Sequence, residues 1–294
     1  MLCAFLFNDS AQNDVAEWKL KGKVKSMKIL HFEAKIQSGK VIKGKLIPEP
    51  PAFQNVLENG LFLFNENGYI IERHYFTYKE ATKYQYDAKH NMTTMYRYHQ
   101  GKNDTIDYYQ IKYKYNQQGK IIEEKECSFH STWKIIYTYK YNTNGLLTEK
   151  IYHDEKKKII DNYKYDAKGK LIEENTPRDY TIKKRTHKYD DKGNLAETSG
   201  YGTNKDSSYY IAHIYKYDAK ENIIEETRKS SKVIYEYDNS GLEIKKQYYL
   251  ENDSLSSSTT YEYKFDAIGN WIQQTKSVNN SPEYILEREI KYFQ

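Results

Sequence analysis

The sequence predicts an all-β protein: an antiparallel meander of about nine repeated β-hairpins coiled into an open solenoid or partial barrel. Three observations predict it. The phrase YKYDAKGKLIEEN at Tyr163–Asn175 returns almost intact as YKYDAKENIIEET, YKYNQQGKIIEEK and YKFDAIGNWIQQT. Tyr-Lys-Tyr before the turn alternates with period two, as a strand does. The chain carries 32 tyrosines against 10 phenylalanines and 3 tryptophans, and no segment has a convincing helical period.

Taken in order, residues 1–12 read as the remnant of a secretory leader. Leu2–Phe7 is apolar and too short to span a membrane, and small and polar residues follow up to Ser10-Ala11-Gln12. The basic region that normally opens a leader is missing, so Met1 is expected to lie inside a longer one, or the start to be miscalled. The competing reading is a frayed N-terminal strand. Residues 13–60 read as an N-terminal β cap over the first edge of the array. Trp18–Leu30 is strand-like, and Pro48, Pro50 and Pro51 interrupt the second half of the cap.

Residues 61–294 read as the hairpin array. Its anchors are Phe64, Tyr86, Tyr115, Tyr141, Tyr165, Tyr189, Tyr217, Tyr237 and Phe265, each followed by Asp or Asn. Seven anchors have Gly four residues on, among them Gly68, Gly169 and Gly241. Asp or Asn suits the first position of a type I turn, where its side chain accepts backbone N–H bonds. Gly suits the left-handed residue that completes a G1-bulge hairpin. His90 and Glu221 stand where Gly is absent, each followed by Asn, and a turn longer by one residue is expected there. An apolar residue sits two past the Gly position in eight of nine repeats, Glu243 being the exception. A G1-bulge register sets Tyr165 opposite Leu171 and Lys164 opposite Ile172. Aromatic–aliphatic cross-strand pairs contribute roughly 0.2–1 kcal/mol each. Repeated nine times, they rival a domain's net stability of about 5–15 kcal/mol. Leu286–Phe293 reads as the first half of a further repeat, a closing edge strand.

Net charge is +5, from 46 basic and 41 acidic residues that are interspersed. That speaks against a nucleic-acid footprint, which gathers Lys and Arg without acids. Two cysteines, Cys3 and Cys127, make no disulfide scaffold and no zinc-ribbon spacing. There is no HExxH, phosphate loop or GxSxG. The eight histidines are scattered, and His187 fills a slot that is Tyr in most repeats. Its simpler role is packing, because a metal site with His213 needs convergence in space. The glutamate column reads as cross-strand charge pairing on a wet face. No catalytic residue, cofactor or metal is therefore expected, and no enzyme.

Tyrosines on a concave face can stack on sugars or receive extended peptides. The simpler reading for inner pairs such as Tyr163 and Tyr165 is self-packing. The candidate ligand-binding residues are Tyr201, Tyr209 and Tyr248, read as loop tyrosines, and Trp271, beside a repeat turn.

The recurring Tyr-x-Tyr-Asp-x-x-Gly-Asn/Lys-Leu/Ile, carried best by Tyr163–Glu174, Thr186–Glu197 and Tyr261–Gln273, resembles the YD repeats of the RHS family. That family comprises bacterial surface and toxin-shell proteins. The resemblance covers about Phe62–Phe293 and implies hairpins in a spiralling sheet. It is closest to the short, stand-alone, exported repeat proteins, because the closing core domain and toxin tail of the large members have no counterpart here. A weaker likeness, in LFLFNENGYI, is to choline- and glucan-binding hairpin repeats. The expected role is a non-catalytic repeat protein of the bacterial cell envelope. It is exported to the periplasm, outer-membrane surface or medium, and serves as a binding or structural module for a protein or glycan. The alternatives are a carbohydrate-binding module or a fragment of an RHS-type toxin-delivery shell.

Overall fold

The structure is a computed structural model that describes residues 13–48, 59–99, 107–128, 132–154, 157–178, 182–204 and 207–294. The expected leader, residues 1–12, lies outside the described residues. So do Pro50 and Pro51.

The described residues form one single-turn helix and 21 strands. The helix is α1 (Asp14–Glu17), followed by β1 (Val24–Gln37), β2 (Lys40–Leu46), β3 (Gly60–Phe64), β4 (Ile70–Tyr75), β5 (Glu80–Tyr86) and β6 (Met92–His99). Then come β7 (Asp107–Tyr115), β8 (Ile121–Ser128), β9 (Lys134–Tyr141), β10 (Leu147–His153), β11 (Lys158–Tyr165), β12 (Leu171–Asn175) and β13 (Lys184–Tyr189). The remainder are β14 (Leu195–Asn204), β15 (Ser207–Tyr217), β16 (Ile223–Arg228), β17 (Ser231–Tyr237), β18 (Glu243–Leu250), β19 (Leu255–Phe265), β20 (Trp271–Val278) and β21 (Ser281–Tyr292). The all-β class therefore holds.

The chain divides into two compact units. One takes in the chain up to Tyr113, with Glu126–Trp133 and Tyr261–Gln294; the other takes in Lys114–Lys125 and Lys134–Thr260.

All nine turns fall where the repeat places them, with one hydrogen-bond pattern. At Asp166, the backbone N–H donates to Lys170 O (2.9 Å) and Gly169 N–H donates back to Asp166 O (3.0 Å). The Asp166 Oδ1 accepts from the N–H groups of Lys168 and Lys170. The expected lengthening at the two Gly-less turns is corrected. His90 and Glu221 take the left-handed conformation themselves, both at φ 65°, and the turns keep their length. Asn91 and Asn222 donate their side-chain amides to Asp87 and Asp218, as Asn194 does to Asp190 in a turn that keeps its glycine, and the His90 ring stacks on Tyr69.

The register is also corrected in one detail. Tyr165 does face Leu171, but Lys164 faces Glu173. A second bulge after the turn absorbs Ile172, and no glycine marks it in the sequence.

In the first unit the expectation of an open solenoid or partial barrel fails at β1. Its residues 24–33 pair with β21 on one flank. Residues 26–29 pair with β3 and residues 32–37 with β2, necessarily on the other flank. The last strand is therefore no edge, and the ladder closes at this seam. The physical reason is burial: β1 and β21 bring Val24, Met27, Ile29, Tyr284 and Leu286 into the unit's apolar core. Trp18–Leu20, expected as the start of a strand, lie before β1 and with residues 13–17 supply a plug to the same core. Asn13 caps α1 by accepting from Ala16 N–H (2.9 Å). Val15, Trp18 and Leu20 pack against Phe62, Phe64 and Ile70, with the Trp18 ring edge-on to Phe62 at 5.0 Å.

Candidate functional site: a charged and aromatic strand face

The register gives each repeat two different faces. On one, the residue before the anchor meets the residue eight past it. The resulting ion pairs recur in the second unit: Lys140–Glu149 at 2.8 Å, Lys164–Glu173 at 2.7 Å, Lys188–Glu197 at 3.0 Å and Lys216–Glu225 at 2.8 Å. At the next hairpin the charges exchange places, as Glu236–Lys245 at 2.9 Å. The glutamate column is thus the cross-strand pairing expected of it. Its four lysines are well exposed, so each pair contributes about 0–1 kcal/mol.

The other face carries the tyrosines. Anchor hydroxyls donate to the carbonyl that opens the second strand of the preceding hairpin. In the second unit these are Tyr141 to Ile121 O, Tyr165 to Leu147 O, Tyr189 to Leu171 O, Tyr217 to Leu195 O and Tyr237 to Ile223 O, at 2.7–2.8 Å. Tyr86 does the same to Ile70 O in the first unit, at 2.7 Å. Each bond stitches one hairpin to the one before. Burial pushes the Tyr141 and Tyr237 phenols up to about 12.

Charged groups sit among these rings. Asp161 is 3% exposed. Its Oδ2 accepts from Arg178 Nη2 at 2.8 Å, while Arg178 Nη1 donates to the Tyr137 hydroxyl at 3.0 Å. The guanidinium lies 5.1 Å from the Tyr137 ring centre and 5.0 Å from that of Tyr152, and the Lys150 ammonium is 4.1 Å above Tyr137. Glu226, also buried, accepts from His213 Nδ1 (2.7 Å), Arg228 Nε (2.9 Å) and the Tyr235 hydroxyl (3.3 Å). Burial opposes ionisation of Glu226, but the bonds from His213 and Arg228 outweigh it and hold its carboxyl below the usual range.

These clusters fix charge and ring positions. A general acid or base must reach a substrate proton, and Glu226 is already engaged by three neighbours. His187 and His213 share one cross-strand row, each opposite Thr198. His187 Nδ1 contacts Thr198 Oγ1 at 3.1 Å and His213 turns to Glu226, so they do not converge. Among the described residues no three His, Cys, Asp or Glu side chains gather as metal ligands.

Of the four candidate binding residues, Trp271 belongs to the first unit and the three tyrosines to the second, where they are not brought together. Tyr201, Tyr209 and Tyr248 lie in strands β14, β15 and β18, which correct their reading as loop tyrosines: the strands outrun the repeat phrase. Tyr201 pairs with Tyr210, and Tyr209 with Gly202, so the two occupy neighbouring rather than shared register positions. β18 lies three strand spacings from β15, about 14 Å. The Tyr248 ring is 37% exposed, with the Lys246 ammonium 5.0 Å from its centre. Trp271 is committed to packing: it meets Tyr263 edge-on at 5.9 Å, and the Arg288 guanidinium stacks 3.2 Å from its ring centre. A cavity of about 280 Å³ is lined by Lys28, Leu30, Lys264, Gln273, Glu287 and Glu289 among others.

Sequence reasoning assigned Arg178 no role. The available signal was Asp161, the one acid on β11, on the same side of the strand as Tyr163 and Tyr165.

No family model matches the chain, and no curated protein does. Solved structures with low similarity include the Tc holotoxin pore of Photorhabdus luminescens. There the identity is 11% and the TM-score 0.44, over 84% of this chain and 17% of that one. A TcdB2-TccC3 crystal structure matches at 12% identity and TM-score 0.39, over 74% of this chain and 14% of that one. The chain thus spans about a sixth of the length of these toxin chains. A porin-like protein from Bacteroides uniformis matches at 11% identity and TM-score 0.33, over 92% of this chain and 98% of that one. Among the described residues no helix is long and apolar enough to cross a membrane.

Proposed function

We propose that this chain is a non-catalytic repeat protein of the bacterial cell envelope, acting as a structural module or as a binding module toward a protein. The observation that carries this reading is the tyrosine ladder. The residues that define the repeat are spent on the repeat itself: phenol hydroxyls on the preceding hairpin, Asp and Asn on their own turns, Lys and Glu on each other. A scaffold is built this way. Export is supported by the apolar run Leu2–Phe7 and the small residues after it. The likeness of the turn phrase to YD repeats supports placement among the short RHS-type proteins, with a shell fragment as the alternative. A toxin domain in the same reading frame would decide for that alternative.

Glycan-array binding tests the main reading against a carbohydrate-binding module. The expected outcome is no specific signal for the native chain. A signal lost on Tyr201→Ala, Tyr209→Ala or Tyr248→Ala assigns the protein to carbohydrate binding instead.

A further inference from the structure

The β1–β2 ribbon runs on past its neighbours. β21 accompanies β1 only to Glu33, which faces Tyr284. From Ala34 to Lys43 each of the two strands has only the other as a ladder partner among the described residues. Ser38 and Gly39 close the ribbon with φ of 50° and 74°, as a tight type I′ turn does.

Register sorts the ribbon's side chains onto two faces. Ile36 opposite Val41, Ala34 opposite Lys43, and Phe32 opposite Leu46 share one face. Ile36 is 65% exposed, Val41 43% and Leu46 46%, and Ile36 is the most exposed large apolar side chain among the described residues. The other face carries Lys35, Gln37, Lys40 and Ile42. Residues 33–46 hold four lysines against the single acid Glu33. Lys35 meets Glu33 at 3.1 Å and Lys43 meets Glu287 at 2.9 Å. Lys40 and Lys45 form no ion pair among the described residues.

A two-stranded ribbon is marginal alone, and an exposed apolar patch marks an interaction surface. Three occupants can be weighed. A second copy meeting the same face would set Lys43 against Lys43 and leave Lys40, on the other face, without an acid. A protein partner's anchor side chains need a pocket, and a ribbon with no second layer offers none. An anionic bilayer surface satisfies both features at once. Apolar side chains enter the boundary between headgroups and acyl chains, and lysines meet the phosphates.

We infer that the β1–β2 ribbon is a membrane-surface anchor, setting Ile36, Val41 and Leu46 among the headgroups of an anionic bilayer. This inference does not rest on the scaffold role proposed for the repeats. Flotation of the full chain with vesicles tests it, using phosphatidylcholine alone and phosphatidylcholine with phosphatidylglycerol. The chain is expected to float with the anionic vesicles and to be released by added salt. Ile36→Ser with Val41→Ser should lower binding on the order of tenfold. Lys40→Gln with Lys45→Gln should lower it by about as much and blunt the salt response. Ile160→Ser, at an exposed apolar position on β11, should leave binding unchanged. All five positions are exposed, and melting curves confirm that the variants fold. A native chain that stays unbound, or paired variants that bind like the native chain, overturns the anchor. So does a concentration-dependent dimer in sedimentation velocity that Ile36→Ser abolishes, which assigns the face to a second copy.

Discussion

Tyr165 has a phenol where the first and last anchors, Phe64 and Phe265, have a bare ring. The difference is one hydrogen bond, from its hydroxyl to Leu147 O at 2.8 Å. Tyr165→Phe keeps the packing and loses the bond, so it should cost about 1 kcal/mol in urea unfolding. Tyr189→Phe, one hairpin on, should cost the same. The ladder also sets the response to alkali. The Tyr141 and Tyr237 phenols are raised to about 12 by burial, whereas a phenol in the unfolded chain ionises near 10. Their contribution is complete below about pH 10. It falls as pH rises from there toward 12, because only the unfolded chain releases those protons. A urea midpoint that stays constant from pH 9 to pH 12 would refute this account of the phenols. Glu221 argues in the opposite direction. It holds φ 65° without glycine's freedom, so Glu221→Gly should stabilise by about 0.5–1 kcal/mol, read from the melting temperature.

At the scale of the element, the turn does most of the specifying. Anchor, Asp or Asn, and Gly are legible in the sequence because each answers a separate backbone demand; all nine turns fall on the first two and seven of them on Gly. The pairing beyond the turn was only half legible. Tyr165 opposite Leu171 follows from the glycine bulge, but the second bulge at Ile172 has no residue type that demands it, so Lys164 was set one place short of Glu173. The charged clusters were less legible still, since Arg178 reaches Asp161 from a connecting segment that has no periodicity to read. Gly68 shows how one turn residue can carry two duties. Its φ is 81°, and a Cβ there would lie 2.8 Å from Asn13 Cγ, in the cap of α1. Gly241 has a similar φ, 82°, but the nearest atom to its Cβ would be Asn222 Oδ1 at 3.7 Å. Both Gly→Ala changes should lose about 1–2 kcal/mol to the left-handed backbone. Gly68→Ala should lose roughly 1–3 kcal/mol more by overpacking. Equal losses in parallel denaturation curves would show that the α1 plug gives way freely.

For the whole chain, the decisive pairing is β1 with β21. Met27 and Ile29 on one strand and Tyr284 and Leu286 on the other are all under 6% exposed. Phe293 N–H donates to Lys23 O at 2.8 Å, fastening the chain's last residues beside the start of β1. A chain cut after Asn280 should expose that core and be recovered from the insoluble fraction, whereas removal of Gln294 alone should be tolerated. This seam escaped the sequence reading because residues 24–37 lack the repeat phrase and β21 resembles half of it. The seam also has a consequence in time. A ribosome releases β1 long before it makes β21, so β1 must wait, one flank bare, until all the strands between them have emerged. Hairpins in between can form as they appear, but the β1–β21 pairing must come after them, and any delay there leaves an apolar edge open to other nascent chains.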